Sequence, residues 1–97
     1  MPINDVAHTT DTGTNLWQKL LPPWVVVLHN DDFNSMPYVV TCLMNSVPGL
    51  TEPRATEIME ETHLHGQSHV VICPLELAEL YRERLENLLL TATIEKA

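Results

Sequence analysis

The densest group of polar acceptors in the chain is Asn30-Asp31-Asp32, followed by Phe33, Asn34 and Ser35. Side chains of this kind support three chemistries. Asx residues between a strand and a helix cap turns, accepting hydrogen bonds from backbone a few residues on. They also chelate calcium, and Asn30, Asp32 and Asn34 fall at positions 1, 3 and 5 of an EF-hand loop. That reading fails at position 6, where Ser35 replaces glycine, and at position 12, where Thr41 replaces a bidentate Glu. The third chemistry is a cation site for a ligand amine, which needs carboxylate and carbonyl acceptors held close together. His63 bears on the same question. It ends an apolar helical stripe, so it faces the interior or a pocket wall, either as a satisfied core residue or as a lone-pair donor to an ammonium group. A helix C-terminus favours the protonated ring and burial favours the neutral one.

Two other constellations carry less. His63, His65, His69 and Cys73 could suggest zinc, but their spacing fits none of the paired structural-zinc patterns. Catalysis lacks a foundation. There is no Gly-rich phosphate loop and no nucleophile elbow. Asp31 and Asp32 are adjacent and seldom point at one substrate, and Cys42 lies mid-helix on a packed surface, a poor setting for a reactive thiolate. The expectation is no enzyme, no cofactor and no metal.

The elements that must position these residues are legible from Trp24 onward. Trp24 to Leu28 is an apolar, β-branched run, as a strand covered on both faces should be. Ser35 caps a first helix with Pro37 in its first turn, carrying Met36, Val39, Val40, Leu43 and Val47 on one side until Pro48-Gly49. Thr51 and Pro53 open a second, with Ala55, Ile58, Met59, Thr62 and His63 on one face and Gly66 as its C-terminal stop. A second strand covers His69 to Ile72. Pro74 starts a third helix with the stripe Leu77, Ala78, Tyr81, Leu85, Leu88 and Leu89, opposite Glu76, Glu79, Glu83 and Glu86. A last strand runs from about Leu90 to Ile94. The order β-α-α-β-α-β predicts a two-layer α+β domain, a three-stranded antiparallel sheet packed on three helices.

Residues 1–23 differ from this core of residues 24–97. Thr9 to Asn15 is polar and turn-prone, and the short patch Leu16, Trp17, Leu20 and Leu21 is stopped by Pro22-Pro23. The expectation is a flexible extension carrying one apolar patch. The whole chain has 97 residues, 44% of them apolar, with 13 acidic against 5 basic side chains and a net charge of −8. One domain fits that length. The acidic balance excludes a sequence-independent grip on nucleic acid, and no run approaches the ~20 apolar residues of a membrane span. Met1 to Asp5 lacks the features of an export signal, so Cys42 and Cys73 are expected to be reduced thiols in the cytoplasm.

Three segments together resemble the ClpS family, adaptors of the bacterial N-degron pathway that hand substrates to an AAA+ Clp protease. They are Val25-Val26-Val27-Leu28-His29-Asn30-Asp31-Asp32-Phe33-Asn34-Ser35-Met36, Arg54-Ala55-Thr56-Glu57-Ile58-Met59-Glu60-Glu61-Thr62-His63-Leu64-His65-Gly66, and Glu76-Leu77-Ala78-Glu79. The likeness extends to the closing Ile94-Glu95-Lys96-Ala97. It implies that Asn30, Asp32 and His63 hold the free α-amino group of a substrate's first residue, while Asp31 shapes that site or holds the peptide backbone. It implies a hydrophobic pocket at Asn34, Met36, Val39, Met59 and Thr62, with Leu43 as floor and Met36 as a gate against β-branched side chains. Glu76 and Glu79 would dock on the unfoldase, of ClpA or ClpC type, and residues 1–23 would engage it during transfer. The protein would be a monomer that binds N-degron peptides with a bulky hydrophobic first residue, in the cytoplasm or, for a plastid member, the stroma.

Three departures from the family pattern stand out. Thr62 replaces an aliphatic residue, which predicts a more polar pocket wall. Tyr81 replaces a basic residue on the docking helix, and the link from the third helix to the last strand is short. The readings of a different class are a small metal-binding protein using His63, His65, His69 and Cys73, and a generic interaction domain whose acidic third helix binds a partner.

Overall fold

The computed structural model describes residues 21–97. Most of the expected flexible extension, with Leu16, Trp17 and Leu20, lies outside the described residues. The elements are β1 (Pro23–His29), α1 (Met36–Ser46), α2 (Glu52–His65), β2 (Gln67–Pro74), α3 (Leu75–Asn87) and β3 (Thr91–Lys96). The strands form one antiparallel sheet in the order β2-β1-β3. This is the α+β domain that the sequence predicts.

Each helix begins where its capping chemistry puts it. Ser35 is extended (φ −72°, ψ 155°) and its side chain accepts from the Tyr38 N–H, while Thr51 does the same for Arg54. Such caps satisfy donors that the first helical turn leaves orphaned. Gly66 ends α2 in the left-handed region at φ 88°, which costs a residue without Cβ little.

β1 is the central strand, hydrogen-bonded along both edges. Val25, Val26, Val27 and Leu28 are all at most 2% exposed. Val26 and Leu28 pack into a core with Cys42 and Leu43 from α1, its C-cap Val47, Ala55 and Ile58 from α2, Val70 from β2, and Ala78 and Leu85 from α3. Leu90 and Ala92 complete it. The pairing of β1 with β2 shifts register between Val26 and Val27, so that Val27 faces His69 and Val70 is left over. Such a bulge sharpens local twist.

One part of the α3 stripe is corrected. The periodicity puts Leu89 on the buried face, but it is 80% exposed and takes φ 70°. The helix ends at Leu88, the Leu89 N–H donates to the Glu86 carbonyl and the Leu90 N–H to the Leu85 carbonyl. That is a Schellman turn with leucine where glycine is usual. The turn swings Leu89 outward and buries Leu90 instead. β3 accordingly starts at Thr91.

Candidate functional site

The loop after β1 is built around Asp31. Its Oδ1 accepts from the backbone N–H groups of Phe33 and Asn34, both at 2.9 Å, and the Asn34 side-chain amide donates to both carboxylate oxygens at 3.2 and 3.0 Å. Burial alone would raise this carboxyl's pKa, but the hydrogen bonds from Asn34 and Phe33 outweigh it and hold the group below the ordinary carboxylate value. Asp31 is therefore the Asx residue that sets the turn. Asp32 is exposed, and its carboxylate accepts no hydrogen bond from the described residues.

A single backbone bond brings this loop to the end of α2. The Asn30 N–H donates to the Gly66 carbonyl at 2.9 Å, beside the last turn that carries His63. Between them opens a cavity of about 310 Å³ lined by Leu28, His29, Asn30, Asp31, Asp32, Asn34, Ser35, Met36, Val39, Met59, Thr62, His63 and Leu90. Asn30, Asp31, Asp32 and His63 thus meet at one cavity with Asn34, Met36, Val39, Met59 and Thr62. Acceptors from the loop and an imidazole share its walls with thioether and aliphatic groups. That combination can hold a ligand bearing both an ammonium group and an apolar side chain.

One expectation about the walls is corrected. Leu43 is completely buried in the core and is not part of the cavity lining; Leu28 and Leu90 supply the apolar surface instead. Thr62 lines the cavity with its Oγ1 proton already donated to the Ile58 carbonyl one turn back at 2.7 Å, so its hydroxyl can only accept from a ligand. Leu28 could have been found as the last apolar residue of a central strand, whereas Leu90 depends on the turn after α3. His29 also lines the cavity, its Nε2 2.7 Å from the Thr93 hydroxyl of β3.

Glu76 and Glu79 are exposed on the first turns of α3 and lie outside the cavity. From Glu76 to the C-terminal end of that helix the rise is about 16 Å at ~1.5 Å per residue. Glu76 and Glu79 thus sit at the end of α3 away from Leu90, which lines the cavity. Tyr81 is half-buried and packs on the core, with the Arg84 guanidinium 5.8 Å from its ring centroid. Among the described residues no three His, Cys, Asp or Glu side chains converge on a common point, so His63, His65, His69 and Cys73 form no ligand set. Burial pushes the Cys42 and Cys73 thiols up, away from the reactive thiolate. None of the described helices is long and apolar enough to cross a membrane.

The sequence profile of the ATP-dependent Clp protease adaptor protein ClpS matches residues 19–93. The chain is 48% identical over 82 residues to the ClpS adapter of Synechococcus elongatus, covering 84% of this chain and 86% of that one. It is 39% identical over 95 residues to that of Synechocystis sp., 97% of each chain. To the chloroplastic adapter CLPS1 of Arabidopsis thaliana it is 40% identical over 78 residues, 80% of this chain and 49% of the longer plant protein. Among solved structures, Agrobacterium tumefaciens ClpS2 bound to L-phenylalaninamide superposes with a TM-score of 0.70 at 24% identity, over 78% of this chain and 98% of that one.

Proposed function

The chain belongs to the ClpS family of ATP-dependent Clp protease adaptors, which are not themselves enzymes, and on that premise we propose that it binds proteins with a bulky hydrophobic first residue and presents them to a Clp unfoldase. The observation that carries this reading is the cavity itself. Asn30, Asp32 and His63 line it together with Met36, Val39, Met59 and Leu90, so one opening offers acceptors for an α-ammonium group and an apolar wall for the adjoining side chain. The bound L-phenylalaninamide of Agrobacterium tumefaciens ClpS2 has both of those groups, which supports the same use here. Asp32, without a partner in the described structure, supplies the charge. Asp31 stays behind it as scaffold. Met36, 44% exposed at the cavity wall, acts as the gate against β-branched side chains.

The magnitudes suit a carrier. Burying a Phe or Leu side chain contributes roughly 1.5–3 kcal/mol. Charge-assisted hydrogen bonds to the ammonium add about 1.5–3 kcal/mol each, against an association cost of at least ~4 kcal/mol. With three such bonds the balance spans about −2 to −8 kcal/mol, so the upper end just reaches the micromolar range of a carrier that must release its cargo. We place the protein in the cytoplasm or plastid stroma, as a monomer with Glu76 and Glu79 facing a ClpA- or ClpC-type unfoldase. The deciding experiment is fluorescence anisotropy with a labelled peptide beginning in Phe beside its N-acetylated copy. Binding that acetylation abolishes is expected. Equal binding of both, or failure of Phe, Leu, Trp and Tyr peptides alike, overturns the reading.

A further inference from the structure

The seam between the amine-side loop and the α3–β3 turn is closed in an unusual way. β1 and β3 pair as far as His29 and Thr91, and from there the two chains part around the cavity. Among the described residues no main-chain hydrogen bond then joins the segment after His29 to the turn at 88–90. Two side chains do. The Tyr38 hydroxyl donates to the Leu88 carbonyl at 2.8 Å, and the Asn34 amide donates to the Leu89 carbonyl at 3.0 Å. Both carbonyls lie just past the last turn of α3. Asn34 also holds the Asp31 carboxylate, so its amide protons tie the turn-setting carboxylate to the far wall. Leu89 keeps a left-handed φ of 70° with its side chain 80% in solvent, so packing of that side chain does not explain the strain. Strained backbone of this kind persists where the surroundings over-determine it; the Schellman bonds and these two clamps do so.

We propose that Asn34 and Tyr38 are positioning residues that fix the gap between the α1 wall and the Leu90 wall, and thereby which first side chains enter. The selectivity half of this rests on the peptide-binding reading above. Met36 and Val39 flank Tyr38 along α1, while Leu90 directly follows the clamped carbonyls, so the two bonds span the cavity that these residues line. Exclusion of a β-branched first side chain needs walls that do not yield.

Tyr38→Phe, which loses only the hydroxyl, and Asn34→Ala test this with two readouts. Amide hydrogen exchange should quicken at residues 89–91 in both variants, some 50 positions away in sequence, while β2 is unchanged. The affinity ratio for Phe-initiated over Ile-initiated peptides should fall by about three- to tenfold, the worth of one hydrogen bond, with N-acetylated peptides still unbound. Unchanged exchange at the turn in both variants overturns the clamp. Equal loss of affinity for both peptides, or no change, overturns its role in selectivity. Should the wild-type protein bind no peptide, the peptide-binding reading fails on its own and the exchange result alone decides the clamp.

Discussion

The Asn30 N–H and the Gly66 carbonyl meet at 2.9 Å, and this bond sets the exit of the central strand against the end of α2. Asn30 and His63, distant in sequence, become two walls of one cavity because Gly66 turns left-handed at φ 88° and aims its carbonyl at the loop.

Gly66→Ala should therefore do two things. A Cβ there meets nothing within 4 Å, so the cost is conformational, about 1–2 kcal/mol for a left-handed L-residue. Gly49, at φ 83° with equally open surroundings, provides the control. Both Ala variants should lose similar stability in urea unfolding, and only Gly66→Ala should also weaken peptide binding. Equal binding in the two would show that the Asn30–Gly66 bond does not set the site.

Asp32→Asn keeps the shape and removes the charge. With no partner from the described residues to lose, stability should change by less than about 0.5 kcal/mol. Affinity for a Phe-initiated peptide should drop about tenfold or more, the loss of one charge-assisted hydrogen bond. Parallel anisotropy and thermal melts distinguish this from a folding defect.

The pH dependence of stability should carry the mark of Asp31. Its folded carboxyl lies below the ordinary value of 3.8, so the native state binds fewer protons there than the unfolded chain. The stabilisation is present above the unfolded value and is lost as pH falls through the depressed folded value. Asp31→Asn, whose amide oxygen can still accept from the turn, should give a shallower fall in urea midpoint across that acid window. An unaltered slope would place the acid sensitivity elsewhere.

Thr62→Val tests whether the cavity wall is polar. Since the hydroxyl donates to Ile58 inside the helix, the variant should bind Phe-initiated peptides within about twofold of wild type, less than one hydrogen bond is worth. A large gain in affinity would mean that the hydroxyl does face the ligand.

Leu89 offers a test of the turn that leaves the clamping carbonyl in place. Leu89→Gly relieves a left-handed cost of about 1–2 kcal/mol and loses about 0.4–1 kcal/mol through the freer unfolded chain, a small net gain. Leu89→Val, β-branched and with its side chain equally in solvent, should destabilise. Thermal melts of the pair check the order; Val more stable than Gly would refute the strain.

What the sequence determined was local. Ser35 and Thr51 start helices and Gly66 stops one because capping and left-handed geometry depend on a few neighbouring residues. The run Val25–Leu28 announces a covered strand because its side chains leave no face for water, and Asp31 makes a turn with donors two and three residues away. The resemblance carried by the loop and by Thr62-His63-Leu64-His65-Gly66 marked nine of the residues that line the cavity. The tertiary structure decided which groups remain free once neighbours take their share. Leu43 went to the core, the Thr62 hydroxyl to Ile58, and Asp31 to the turn, leaving Asp32 open. Leu90 became a wall, and Asn34 reached Leu89 across 55 positions, only because α3 folds back beside the loop. Periodicity and caps are short-range in the chain, whereas a cavity exists only between segments that packing brings together.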